Sequence, residues 1–219
     1  MEQVATLIRL GRIELAADVS LPDRATGLVL FAHGSGSSHH SPRNRHVADV
    51  LNRGAIGTVL TDLLTEEEEA IDIQTAELRF DISLLGNRLA GITDWIGRQP
   101  VLKNLGLGYF GASTGAAAAL VAAAERPQTV RALVSRGGRP DLAGAALKGV
   151  LAPTLFIVGG EDTVVLDLNY SAMAQLPRQT KHKLEIIPGA THLFEEPGAL
   201  VRVAALARDW FREHLELKP

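Results

Sequence analysis

Ser113 stands at the centre of Gly111-Ala112-Ser113-Thr114-Gly115, a G-x-S-x-G pattern. A serine hydroxyl is a weak nucleophile until a base takes its proton and an acid holds that base in place. The pattern describes a sharp strand-to-helix turn that exposes the hydroxyl, and such a turn needs small residues around it. The flanks fit: an apolar run, LGLGYFG, leads in, and an alanine-rich stretch leads out. A tightly packed glycine turn with an incidental serine is the bland alternative.

On such an elbow the partners follow in the chain order acid, then histidine, at later strand ends. Seven histidines are available. His33, His39, His40 and His46 precede the serine. His182 comes before the last expected strand, on the wrong side of the sheet, and His214 falls in the C-terminal helix. His192 remains, in the loop Pro188-Gly189-Ala190-Thr191-His192; its bland alternative is a cap on the final helix. The acid should follow the strand LFIVG, where Gly159-Gly160-Glu161-Asp162 offers two carboxylates. Asp162 fits the G-x-x-D-x-x-V spacing better than Glu161, and either could instead be a turn or cap residue. The oxyanion of an acyl-transfer intermediate needs two N–H donors. The residue after the nucleophile, Thr114, supplies one. The loop His33-Gly34-Ser35-Gly36 is expected to supply the other from Ser35. That loop lacks the G-x-G-x-x-G and G-K-[ST] patterns of phosphate loops.

These residues need a sheet to hold them. Val4–Leu10 and Ile13–Val19 flank Gly11-Arg12 and read as a hairpin. Strand-length apolar runs follow at Gly27–Ala32, Ile56–Thr61, Gly106–Gly111, Val130–Ser135, Thr154–Val158 and Lys183–Ile187. The middle runs are continuously apolar, as parallel strands covered on both faces should be. Helical periodicity lies between them over Arg45–Arg53, Phe80–Ile96, Ala116–Glu125, Leu166–Leu176 and Ala199–Leu215. The expected fold is α/β: a doubly wound, mostly parallel eight-stranded sheet with an antiparallel N-terminal hairpin, in one domain spanning 1–219. Fewer than twenty residues separate Ser135 from Thr154, room for a turn and one short helix but not a cap domain. Leu63–Leu78 is longer than the usual connection. Its Glu66–Glu69 run reads as a solvated helix start, with a lid or pocket rim as the alternative.

Composition narrows the classes. With 219 residues, 46% apolar and 21% charged, the chain is globular rather than disordered or fibrous. A net charge of −3 makes neither nucleic acid nor an anionic membrane a natural partner. There are no cysteines, which excludes disulfides, cysteine zinc sites, iron–sulfur clusters and a cysteine nucleophile. Glu2, Arg9 and Arg12 interrupt the N-terminal apolar residues, so no signal peptide is expected and the cytoplasm is the expected compartment. His39 and His40 lack a third ligand at a sensible spacing, so no metal and no cofactor is expected.

Elbow, H-G-x-G loop, acid and histidine together resemble the α/β-hydrolase superfamily over nearly the whole chain. The small size, the missing cap and the stretch Arg79-Phe80-Asp81-Ile82, Arg88-Leu89 and Asp94-Trp95 look like its dienelactone hydrolase-like branch. Dienelactone hydrolases proper use a cysteine; here the resemblance implies ester hydrolysis by a serine. It also implies that Arg136, beyond the sixth strand, could pair with a substrate carboxylate, with a surface arginine as the plain alternative. His39 could line the rim, while Arg43 and Arg79 read as ion-pair formers.

The function expected is a serine hydrolase of small or short-chain carboxylic esters, with Ser113, Asp162 and His192 as triad and Ser35 and Thr114 as oxyanion donors. A thioesterase, peptidase or lactone hydrolase would use the same trio. A non-catalytic binding domain on the same fold is the alternative of a different class. The expected partner is a small-molecule ester, with a monomer or homodimer as the assembly.

Overall fold

The computed structural model describes residues 2–216. Its strands are β1 (Glu2–Leu10), β2 (Ile13–Leu21), β3 (Gly27–Ala32), β4 (Ile56–Thr61), β5 (Leu107–Ala112), β6 (Val130–Arg136), β7 (Thr154–Gly159) and β8 (His182–Ile187). They form one eight-stranded sheet in the order β1-β2-β4-β3-β5-β6-β7-β8. β1 pairs antiparallel with β2, and β2 antiparallel with β4. From β4 to β8 every pairing is parallel. This is the α/β-hydrolase fold without a cap domain. The hairpin turns at Gly11, whose φ of 66° lies in the left-handed region.

The helices are α1 (Pro42–Arg53), α2 (Glu66–Thr75), α3 (Ile82–Ile96), α4 (Thr114–Glu125), α5 (Thr163–Met173) and α6 (Ala199–Leu215). All six residues of each of β3, β4, β5 and β7 are buried, which is why these strands are apolar without alternation. One core lies between the sheet and α3, α4 and the 3-10 helix Pro140–Gly149; the other lies between the sheet and α1 and α6. Alanine dominates α4 because that helix is wedged between the sheet and α3, and Ala116–Ala119 have no exposed surface.

Several boundaries move. α3 begins at Ile82 because the Asp81 carboxylate caps the Leu84 N–H at 2.9 Å, leaving Phe80 in a separate 3-10 turn. α1 starts three residues before the expected Arg45, at Pro42, where Ser41 caps the Asn44 N–H. α5 runs Thr163–Met173 rather than Leu166–Leu176. His182 opens β8 rather than preceding it, and Arg136 closes β6 rather than following it. The Glu66–Glu69 run begins α2, with Thr65 and Glu68 forming a reciprocal capping box. No described helix is long and apolar enough to cross a membrane.

Candidate active site

The expected site residues come from the C-terminal ends of β3, β5, β6, β7 and β8, the end at which parallel α/β sheets bind ligands. Ser113 lies between β5 and α4 at φ 51°, ψ −121°. A non-glycine residue held there costs about 1–3 kcal/mol and persists only when its surroundings over-determine it. Here its N–H donates to the Arg136 carbonyl at 3.2 Å, and its own carbonyl accepts from Arg139 and Ala116, each at 3.1 Å. The flanking glycines answer to close approach. A Cβ at Gly111 would run into the Ala116 backbone, and one at Gly115 into the Ala32 and His33 carbonyls.

The acid and the histidine meet. Asp162 occupies the N-cap position of α5, yet its side chain makes no capping bond. It accepts instead from Nδ1 of His192 at 2.6 Å. An ionised carboxylate can only accept, so the imidazole proton sits on Nδ1 and Nε2 is left as a base. Glu161, the other carboxylate considered, has no part in this contact. Gly137, at φ 50°, passes beneath the histidine: a Cβ there would lie 3.5 Å from His192 Cε1.

The loop after β3 lies against the elbow. A Cβ at Gly34 would stand 3.1 Å from both Ser113 Cβ and the Ala112 carbonyl, so the loop packs tightly against the elbow. The Ser35 N–H donates to Thr114 Oγ1 at 2.9 Å, and Thr114 is buried as the first residue of α4. His33 anchors the loop: Nδ1 donates to the Gly34 carbonyl at 2.9 Å, and Nε2 accepts from the Leu63 N–H at 3.3 Å. Burial lowers its pKa, against smaller raising effects of the Gly34 carbonyl and the Asp62 charge.

Arg136 is not a surface arginine. It is only 7% exposed, with its guanidinium carbon 6.0 Å from the centre of the Phe194 ring. Its one side-chain hydrogen bond is a long contact of 3.5 Å to Asn44 Oδ1, and Nε and Nη1 have no partner among the described residues. Burial, then the nearby charge of Arg43, pushes its pKa down to about 10, so it remains a cation at neutral pH. Arg43 itself pairs with Glu195 at 3.3 Å, and Arg79 with the buried Asp72 at 2.5 Å.

His39 is held by Asp62, which accepts from both its backbone N–H and its Nδ1, each at 2.7 Å. Together with His33, Ser37, Leu64 and Ile73 it lines a cleft of about 1070 Å³ between the hairpin, the loop after β3 and α2. The rim reading of Leu63–Leu78 thus joins the helix-start reading. Asp18, His39 and His40 are the group among the described residues whose ligand atoms could surround a cation. Arg45 already donates to both Asp18 and His40 at 2.7 Å, and supplies the positive charge itself.

Sequence reasoning missed Asp62, Asn44, Gly137 and Phe194. Phe194 is buried at φ 56°, a conformation no local sequence signal announces. It also had no place for the spacing Gly106-x-Gly108-x-x-Gly111, which imitates a dinucleotide fingerprint. Here Gly108 and Gly111 lie within β5, and Gly106 and Gly108 admit Leu215 and Phe211 of α6 rather than a phosphate.

Residues 47–217 match the model of the dienelactone hydrolase family. The chain belongs to that family. It is 58% identical to a dienelactone hydrolase from Anabaena variabilis, whose structure superposes with a TM-score of 0.95 and 98% coverage of both chains. Est1E from Butyrivibrio proteoclasticus, at 16% identity and a TM-score of 0.78 over 95% of this chain and 98% of that one, shares the fold. A Mycobacterium tuberculosis protein with the provisional name phosphoribosyl transferase is 56% identical over 205 residues, which are 94% of this chain but 45% of that protein. The chain therefore spans about half the length of the curated relatives it matches. This dienelactone hydrolase family member shares its fold with both solved structures.

Proposed function

We propose that the protein hydrolyses small carboxylic esters through an acyl-enzyme on Ser113. The observation that carries this reading is the Asp162–His192 hydrogen bond, made by a carboxylate that forgoes its helix cap, in a chain whose elbow serine is held at a positive φ. His192 Nε2 takes the proton of Ser113 Oγ as the oxygen bonds to the ester carbonyl carbon. The negative charge moves to the carbonyl oxygen, beside the Thr114 N–H at the positive end of α4 and the loop at Ser35. The tetrahedral intermediate collapses, and His192 gives its proton to the departing alcohol. Water then attacks the acyl carbon, with His192 again as base, and the carboxylic acid leaves.

Arg136 favours a second reading within the same chemistry. A buried guanidinium with two unpartnered nitrogens recognises an anion well, so a carboxylate-bearing ester or lactone is the alternative substrate. The Anabaena relative's name points the same way. The transferase name belongs to proteins more than half of which lies outside the match, and it contributes nothing to this assignment. A panel of short and long p-nitrophenyl esters, a thioester and a carboxylate-bearing lactone tests the reading, with Ser113→Ala as control. Hydrolysis of short esters, lost in the variant, is expected. A preference for long acyl chains would contradict it.

A further inference from the structure

The Ser35 N–H is the natural second oxyanion donor by position, yet it is spent on Thr114 Oγ1 at 2.9 Å. A backbone N–H carries one proton. While it donates to a hydroxyl it has nothing to give a substrate oxygen.

The threonine side has the opposite balance. A hydroxyl offers one proton and two lone pairs. Thr114 Oγ1 accepts from Ser35, and its own proton has no acceptor among the described residues. A threonine inside a helix often donates to a carbonyl one turn back. Thr114 is the first residue of α4, so no helical carbonyl lies behind it. It is 3% exposed, so bulk water does not take the proton either. The hydroxyl also sits where the elbow meets its covering loop. It bridges the elbow and the loop that covers the elbow, the loop in which a Gly34 Cβ would stand 3.1 Å from Ser113 Cβ.

We infer that the Thr114 hydroxyl is itself an oxyanion donor, with Ser35 acting through it. The Ser35 N–H fixes and polarises Thr114 Oγ1, and the Thr114 O–H and N–H both point to the oxyanion. Consecutive hydrogen bonds strengthen one another, so the relayed donor is stronger than an isolated hydroxyl. Thr114 is then a catalytic residue through its side chain, and Ser35 a positioning residue. The inference rests on the serine-hydrolase reading above.

The test compares Thr114→Val, which keeps the shape and loses the hydroxyl, with Thr114→Ser, which keeps the hydroxyl. Steady-state hydrolysis of p-nitrophenyl acetate and inhibition by a boronic acid are measured for each, with the melting temperature and with Ser113→Ala alongside. Loss of one oxyanion donor lowers kcat by about 10²-fold or more. Thr114→Val should show that loss with KM little changed, and an equal loss of boronic acid affinity. Thr114→Ser should recover most of both. A purely structural role would lower the melting temperature without this matched loss of rate and inhibitor affinity, and that pattern overturns the inference. A Thr114→Val rate equal to or above wild type, with Ser113→Ala inactive, overturns the relay alone and makes Thr114 a competitor for the Ser35 N–H. Full activity in Ser113→Ala overturns the hydrolase reading and the relay together.

Discussion

Asp162 Oδ2 and His192 Nδ1 are 2.6 Å apart although thirty residues separate them in the chain. The contact fixes which imidazole nitrogen carries the proton. Asp162→Asn keeps the size of the side chain but can present an N–H where an acceptor is required, which favours the wrong tautomer. We expect kcat for ester hydrolysis to fall by about 10⁴-fold, with the fold intact by circular dichroism. A loss below tenfold would separate Asp162 from the chemistry.

Gly115 carries a steric demand that can be read without assaying activity. A methyl group there would meet the carbonyls of Ala32 and His33, both backbone atoms at the end of β3. Overpacking of this kind costs about 1–3 kcal/mol. Gly115→Ala should lower stability by that amount in urea titration and impair hydrolysis as well, because the loop that moves holds Ser35. Unchanged stability would show that β3 and α4 are less tightly apposed.

Arg136 should show stability and function in opposition. Replacing a buried ionic group by an apolar one of similar size often stabilises a fold by roughly 1–4 kcal/mol. Arg136→Met should therefore raise the denaturation midpoint. If an anionic substrate group binds there, the same variant should lose any preference for carboxylate-bearing esters while neutral esters are cleaved as before. A destabilised Arg136→Met would mean that the guanidinium is better satisfied than its partners suggest.

His33 gives a pH signature. Burial lowers its pKa below the ordinary 6.5, so below that pH the unfolded chain binds a proton that the folded chain resists. Its contribution to stability is complete above pH 6.5 and is lost as the pH falls from there toward the lowered folded value. His33→Asn removes that dependence. Between pH 7 and 5 the wild type should lose more stability than the variant in parallel denaturant titrations. Parallel pH profiles would contradict a neutral, buried His33.

Much of this was legible in the chain. β3 and β4 were readable to the residue because buried parallel strands are uniformly apolar and glycine or turn residues bound them. The turn at Ser113 and the meeting of Asp162 with His192 were legible because an elbow needs small flanks and later strand ends carry the acid and the histidine. Other features had no local signal. The burial of Arg136 depends on α1 and on Phe194, 92 and 58 residues away on either side, and polar sequence alone suggests a surface. The Ser35–Thr114 bond joins residues 79 positions apart, so the cost to the expected donor appeared only once β3 and β5 were neighbours. The start of α3 depended on whether Asp81 capped the helix or Phe80 continued it, and side-chain geometry decided for the cap.

The most direct test of the central claim is intact-mass and peptide analysis after reaction with a fluorophosphonate. One equivalent should add, on the peptide that contains Ser113, and Ser113→Ala should add none. An unlabelled wild type, or equal labelling of the variant, would contradict a serine nucleophile at this site.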